Sequence, residues 1–297
     1  MSNKNLNKAK EVKNDEFYTQ YKDIENEVQH YKECLKDKII YCNCDNPEWS
    51  NFWKYFTDHF IDLELKKVIA THYNNNGNAY KLEYDGTNTI KTELQGNGSF
   101  MSDECIEILK HCDIVISNPP FSLFKEYIKT LLDNNKKFLI IGNLNAIKYK
   151  DIFPLFLKGE INCGYNWNFK FSTVKHNPTK KDLKGVGCCW FFNIEHKKKY
   201  NELELTKTYN TNDYKFFDDY NVLNVDKVAD IPNDYFGVMG VPITYFEKHD
   251  PNKFEILDAR EYKIDKTKGM TTATIKGHIE GKNKFERIAI KRKAIKE

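Results

Sequence analysis

At 297 residues the chain has room for one large domain or two smaller ones, and a hydrophobic fraction of 40% supports a substantial core. No apolar run is long enough to cross a bilayer and no signal peptide is evident, so a cytoplasmic protein without a membrane partner is expected. The formal net charge of +3 is too small to establish a polyanionic partner, and eight cysteines without a CxxC give no zinc spacing; no metal is expected.

Residues 1–13 are polar and Lys-rich and read as a flexible basic arm. Helical spacing opens at Asp23 and carries Ile24, Val28, Tyr31 and Leu35. Residues 38–44 read as a strand. Ser50 then caps a helix whose Phe52, Trp53, Phe56 and Phe60 share a face. A second strand at 68–71 precedes loops at 73–78 and 88–98, and Ser102 opens a short helix. The β-branched run Ile114, Val115, Ile116 forms a buried strand. Two prolines stop its ladder, because neither has an N–H to give. Ser122 caps a helix with Phe124, Tyr127, Ile128, Leu131 and Leu132 on one face. A strand at 138–141, a helical pattern through Ile152, Phe153 and Phe156, and a strand at 187–194 complete the alternation. This order predicts an α/β fold on a doubly wound, mostly parallel sheet. The alternation fades near residue 195. The chain therefore divides into a main domain over 14–195 and a smaller C-terminal region over 196–297.

The strand at 113–117 ends in Asn118-Pro119-Pro120-Phe121. The Asn118 side-chain oxygen and the Pro119 carbonyl are two acceptors, and Phe121 is an aromatic plate beside them. That set suits a planar ring carrying an exocyclic NH2. It resembles the Asp/Asn-Pro-Pro-Tyr/Phe motif with which amino-methyltransferases hold the amine to be methylated. Asn-Pro-Pro is also an ordinary strand-to-loop turn.

In an open α/β sheet, ligands bind outside the carboxyl ends of strands. The first strand leads into Asp45-Asn46-Pro47-Glu48-Trp49-Ser50, which has no glycine. A phosphate-cradling loop normally carries glycines, so NAD and FAD are disfavoured. S-adenosylmethionine has no phosphate to cradle. Asp45 either accepts from a cationic amine or makes an Asx-turn before Pro47.

With NDEFYTQYKDIENE, KIIYCNCDNPEWSNFWKYF, SDECIEILKHCDIVISNPPFSLFKEYI, KKFLIIGNLNAI and DIPNDYFGVMGVPIT, the chain resembles the EcoRI-type adenine-N6 DNA methyltransferase family over most of its length. The resemblance implies S-adenosylmethionine as cofactor, with Phe17, Tyr18 and Thr19 at its methionine part. Cys44 and Asp45 stand where other methyltransferases keep a glycine loop. It also implies that Asn118, Pro119, Pro120 and Phe121 receive a flipped adenine, with Phe169, Phe171 or Trp190 as the second plate. No acid ends the second strand, so Glu83 or Asp85 is expected to replace it. Ser99 or Asn97 replaces an absent adenine-contacting Asp, and Phe100 packs the cofactor ring. The implied partner is double-stranded DNA in the nucleoid. The enzyme is expected to be a monomer, either orphan or paired with a separately acting restriction endonuclease.

Residues 260–297 hold twelve Lys/Arg against five Asp/Glu and all three arginines of the chain, Arg260, Arg287 and Arg292. With Tyr262 and Phe285 among the charges, this segment suits a phosphate-tracking surface. An arginine fork there is expected to read a guanine edge. No proline precedes a cysteine, which argues against cytosine-C5 chemistry. An RNA or protein-glutamine N-methyltransferase, or a catalytically idle DNA-binding relative, are the alternatives.

Overall fold

The computed structural model describes residues 18–44, 46–75, 77–174, 178–196, 203–260 and 274–294. Phe17, Asp45 and Tyr262, with the 1–13 arm, lie outside the described residues. The chain divides into two compact units. The first comprises Met1–Ala146 and Ile161–His196, and the second Ile147–Glu160 and Lys197–Glu297. Residues 147–160, with the short helix Phe153–Leu157, group with the second unit.

Eleven strands lie in the first unit among the described residues. They are β1 (Tyr18–Thr19), β2 (Ile39–Cys42), β3 (Lys67–His72), β4 (Tyr80–Tyr84), β5 (Thr89–Glu93), β6 (Ile114–Ser117), β7 (Lys137–Asn143), β8 (Asn162–Trp167), β9 (Lys170–Ser172), β10 (Leu183–Gly185) and β11 (Cys188–Phe192). Its helices include α1 (Tyr21–Val28), α2 (Asn51–Asp58), α3 (Asp103–Lys110) and α4 (Phe124–Asp133). An eight-stranded sheet runs β5-β4-β3-β2-β6-β7-β11-β8. Its middle, β3-β2-β6-β7, is parallel. The flanking pairs are antiparallel, so the sheet is mixed where a mostly parallel one was expected. The physical reason is local. Asp85-Gly86 turns β4 straight back into β5, with Gly86 at φ +95, and a hairpin needs no crossover helix. Residues 89–93, expected as loop, are that second hairpin strand.

β2 is buried along Ile40, Tyr41 and Cys42, and β6 along all four residues, as expected for central strands covered on both faces. Ser50 caps α2 by accepting from Phe52 N at 3.1 Å and Trp53 N at 3.4 Å. Phe52, Tyr55 and Phe56 of α2 and Ile24 and Val28 of α1 then bury themselves with Trp190, Phe171 and Leu139 in one core. α1 is tied to β8 by Glu27, fully buried, which accepts from Tyr165 N, Asn166 N, Asn166 Nδ2 and the Tyr31 hydroxyl at 2.8–3.2 Å. A Cβ on Gly164 would stand 2.2 Å from the Glu27 Oε1, so only glycine fits beside that carboxylate.

The second unit holds a five-stranded sheet. In chain order its strands are β12 (Lys215–Phe216), β13 (Leu223–Asn224), β14 (Val238–Val241), β15 (Phe254–Leu257) and, after the hairpin of β16 (His278–Ile279) and β17 (Lys282–Asn283), β18 (Ile288–Arg292). The spatial order is β12-β13-β14-β18-β15. Phe217, Val222, Val238, Leu257, Ile275 and Ala289 form its separate core. No helix among the described residues is long and apolar enough to cross a membrane.

Candidate active site

The chain leaves β2 to one side for β3 and returns to its other side for β6. β2 and β6 are therefore parallel neighbours, and their carboxyl ends share one edge of the sheet. Asn43 and Cys44 follow β2 there, and Asn118 and Pro119 follow β6. Asn118 is 8% exposed and Asn43 is 4% exposed. Pro120 is extended at φ −55 and ψ 126. The chain then makes a 3-10 turn over Phe121–Leu123, closed by Leu123 N donating to Pro120 O at 3.0 Å. α4 therefore starts at Phe124, after that turn, and Ser122 does not cap it.

The helix after the motif reaches back to the other strand end. The buried Tyr127 hydroxyl donates to Asn43 Oδ1, and the Cys44 thiol donates to the same oxygen at 3.5 Å. Burial drives the Tyr127 phenol pKa well upward, so it remains a donor. Phe100 packs edge-on against Tyr127 with centroids 4.9 Å apart and is itself buried. Ser99, half-buried, bends the chain into α3 by accepting from Met101 N and bonding Ser102. This loop lies at the carboxyl end of β3, where Asn74 N donates to Asn97 O at 2.9 Å. Gly98 is required at that approach. Its φ is +73, and a Cβ would fall 2.3 Å from the His72 carbonyl oxygen.

β1 pairs with β9, placing Thr19 opposite Phe171 and Tyr18 opposite Ser172. Asn51, at the start of α2, donates its side-chain amide to Thr19 O at 2.7 Å. Phe171 in turn meets Phe121 edge to face, at 5.9 Å and 78°. Phe169 and Trp190 extend this aromatic chain inward. Phe171 and Trp190 are fully buried and Phe169 is 8% exposed. These three back Phe121 from inside the core; they present no open second plate. Phe121 alone of the four is only partly buried.

A cleft of about 600 Å³ opens between β1 and the start of α2. Tyr18, Gln20, Glu48, Trp49, Ser50 and Asn51 contribute to its wall, which does not include Asn118 or Phe121. The Asx-turn of the glycine-free loop comes from Asn46, whose Oδ1 accepts from Glu48 N at 2.9 Å and from the Tyr80 hydroxyl at 3.1 Å. Asp23, in the first turn of α1, is pushed up to about 6 by desolvation.

A family model described as adenine-specific methyltransferase EcoRI matches residues 5–294. The chain belongs to that family. It is 40% identical to the type II methyltransferase M.EcoRI of Escherichia coli, over 99% of this chain and 98% of that protein. It is 38% identical to the type II methyltransferase M.MpnI of Mycoplasma pneumoniae, over 97% of this chain and 98% of the relative. A third type II methyltransferase, from Mycoplasma genitalium, is 38% identical over 98% of this chain. No solved structure gives a significant match. Membership of the EcoRI methyltransferase family makes the chain a DNA methyltransferase.

Glu83 is held by Lys81 at 2.7 Å and Lys67 at 3.2 Å and pairs with Ile69, away from the carboxyl end of β3. Asp85 accepts from Thr87 N and Asn88 N in its own turn. Neither replaces the missing acid of the second strand. The acid that does stand in the cleft wall is Glu48, one residue after Pro47 and two before the Ser50 cap.

The arginines are also committed elsewhere. Arg287 is 7% exposed, donating to Asp226 Oδ1 at 2.8 Å and to the Phe285 carbonyl at 3.2 Å. Arg260 forks onto Asp258. The Arg292 guanidinium lies 5.5 Å from the Phe236 ring centre. Arg287, enclosed and paired, is not a base-reading fork in this structure.

Proposed function

We propose that this methyltransferase transfers the methyl group of S-adenosylmethionine to N6 of an adenine extruded from duplex DNA, at a specific sequence. The observation that carries this reading is the placement of Asn118-Pro119-Pro120-Phe121 beside the end of β2, braced by Tyr127 and backed by Phe171. We read β3-β2-β6-β7 as the centre of a doubly wound, Rossmann-like fold with its ligand site at the strand-order reversal. The second unit serves as the DNA-recognition region.

The residues of the cleft suit the cofactor. Its volume of about 600 Å³ is in the range of small-molecule sites. Glu48 would accept from ribose hydroxyls, Trp49 and Tyr18 would offer aromatic faces, and Gln20 and Ser50 would meet the amino-acid end. When bound, the sulfonium supplies an electrophilic methyl group.

The protein's own part is to expose, hold and orient the base. Extrusion costs a few kcal/mol. Stacking on Phe121 offsets about 1–3 kcal/mol of that. The N6 lone pair is delocalised into the purine ring. Accepting both N6–H bonds at Asn118 Oδ1 and Pro119 O favours a pyramidal nitrogen and fixes the direction of its lone pair. This is catalysis by orientation and electrostatics, with no covalent enzyme intermediate.

Single-molecule sequencing of DNA from cells expressing the chain, beside cells expressing Asn118→Ala, tests this reading. N6-methyladenine in one sequence context, absent with the variant, is expected. Unmodified DNA with methyl label in RNA or protein would overturn it.

A further inference from the structure

Phe285 is the most exposed large hydrophobic residue described, at 87%. A single exposed apolar residue is ordinary on a protein surface. The backbone around this one is not ordinary. In the β16–β17 hairpin His278 pairs with Asn283 and Ile279 with Lys282, around Glu280 and Gly281, both at positive φ. Lys284 N donates to Gly277 O at 3.0 Å. Ile275 and Arg287 then pair, exchanging backbone bonds of 2.8 and 2.9 Å. Two residues, 276 and 277, therefore stand opposite three, 284–286. The extra residue makes a β-bulge, a device that re-aims a side chain.

Both sides of the bulge are fixed. The buried Arg287 guanidinium donates to the Phe285 carbonyl. Glu286 is held by Lys148 and by the Thr274 hydroxyl. The ring is thus presented on a braced backbone. Cations crowd the carboxylates on either side of it. Glu286 is shared by Lys148 and Lys276, and Asp226 by Lys284 and Arg287. The two carboxylates that flank the bulge, Glu286 and Asp226, thus each meet two cations close in sequence or pairing to an exposed aromatic ring. That combination suits a polyanion that also offers apolar faces to stack on.

We propose that Phe285 is a base-stacking wedge of the second unit, inserted at a base step of the bound duplex while its chain neighbours Lys276 and Lys284 meet the flanking phosphates. The proposal rests on the DNA-methyltransferase reading and adds the residue through which the second unit grips the bases. An uncharged ring contributes no released counterions, whereas a lysine–phosphate contact does. The two contributions therefore separate in a salt series.

The test is binding of the full-length protein to a duplex carrying its methylated sequence, across a salt series, with 2-aminopurine scanned through the site. Phe285→Ala is expected to weaken binding about tenfold with an unchanged salt slope, and to lose a 2-aminopurine signal at one step. Phe285→Trp is expected to restore both. Lys284→Ala is expected to reduce the salt slope by about one. The ring is exposed, so neither Phe285 variant endangers the core. If wild type and Phe285→Ala bind within twofold and give the same 2-aminopurine scan, the wedge is wrong while the methyltransferase reading stands. If wild type neither binds nor methylates DNA, both fail together.

Discussion

Replacing Asn118 by alanine removes one of the two acceptors that the motif offers to the amine. Asn118 is 8% exposed at a strand end, with the backbone beyond it already turned by two prolines. Loss of its amide therefore leaves the turn intact. The Pro119 carbonyl remains, so orientation is weakened and not abolished. Removing one preorganised partner of a reacting group costs about 10²–10³ in rate, or about 3–4 kcal/mol. Asn118→Asp keeps an oxygen of the same reach and is expected to retain much more activity. The assay is single-turnover transfer of radiolabelled methyl to duplex DNA, with thermal unfolding alongside. Alanine-variant activity within tenfold of wild type, at unchanged stability, would refute the assignment of Asn118 to the chemistry.

Phe121→Ala is expected to cost less, about 1–3 kcal/mol, and mainly at extrusion, so that a mismatched target partly rescues it while Phe121→Trp retains activity; equal loss on paired and mismatched targets would contradict this. Asp23 gives a pH dependence. Its folded carboxyl, at about 6, holds its proton more tightly than the usual 3.8, so wild-type stability falls as pH rises through that window. Asp23→Asn is expected to match wild type near pH 4 and exceed it at pH 8 by about 1–2 kcal/mol, the full shift being reduced because solvent screens a partly exposed carboxyl, and still more than the ~0.3–1 kcal/mol a first-turn acid gains from the helix dipole; urea melts at both pH values measure it. Glu27→Ala strands Tyr165 N, Asn166 N and the Tyr31 hydroxyl, each costing about 1–3 kcal/mol, and is expected to lose at least ~3 kcal/mol of folding stability. Glu27→Gln, which keeps an acceptor, should lose less, and an alanine variant within ~1 kcal/mol of wild type in urea melts would count against that role.

The family was legible in the residues, and so was the motif's local chemistry. Both depend on neighbours in sequence: the β-branched run of β6, the two prolines that end it, and the apolar face of α4. The α/β class followed from the same local periodicities. Local signals misled where a turn was passed over, as at Asp85-Gly86, which makes 80–93 a hairpin, and at Phe121–Leu123, whose 3-10 turn takes Ser122 away from the helix cap.

Tertiary structure alone decided which residues meet. Composition gave no reason for Tyr127 to brace Asn43, 84 positions away, or for Thr19 to lie opposite Phe171. It also decided which aromatic and cationic groups are available. Trp190 and Phe121 are alike as rings in a sequence, yet one is fully buried and the other edges a strand end. Arg287 looks like a free fork until burial pairs it with Asp226 and the Phe285 carbonyl. The physical reason is that burial and pairing depend on contacts between distant segments, and desolvation makes a buried cation take whatever partner the fold provides.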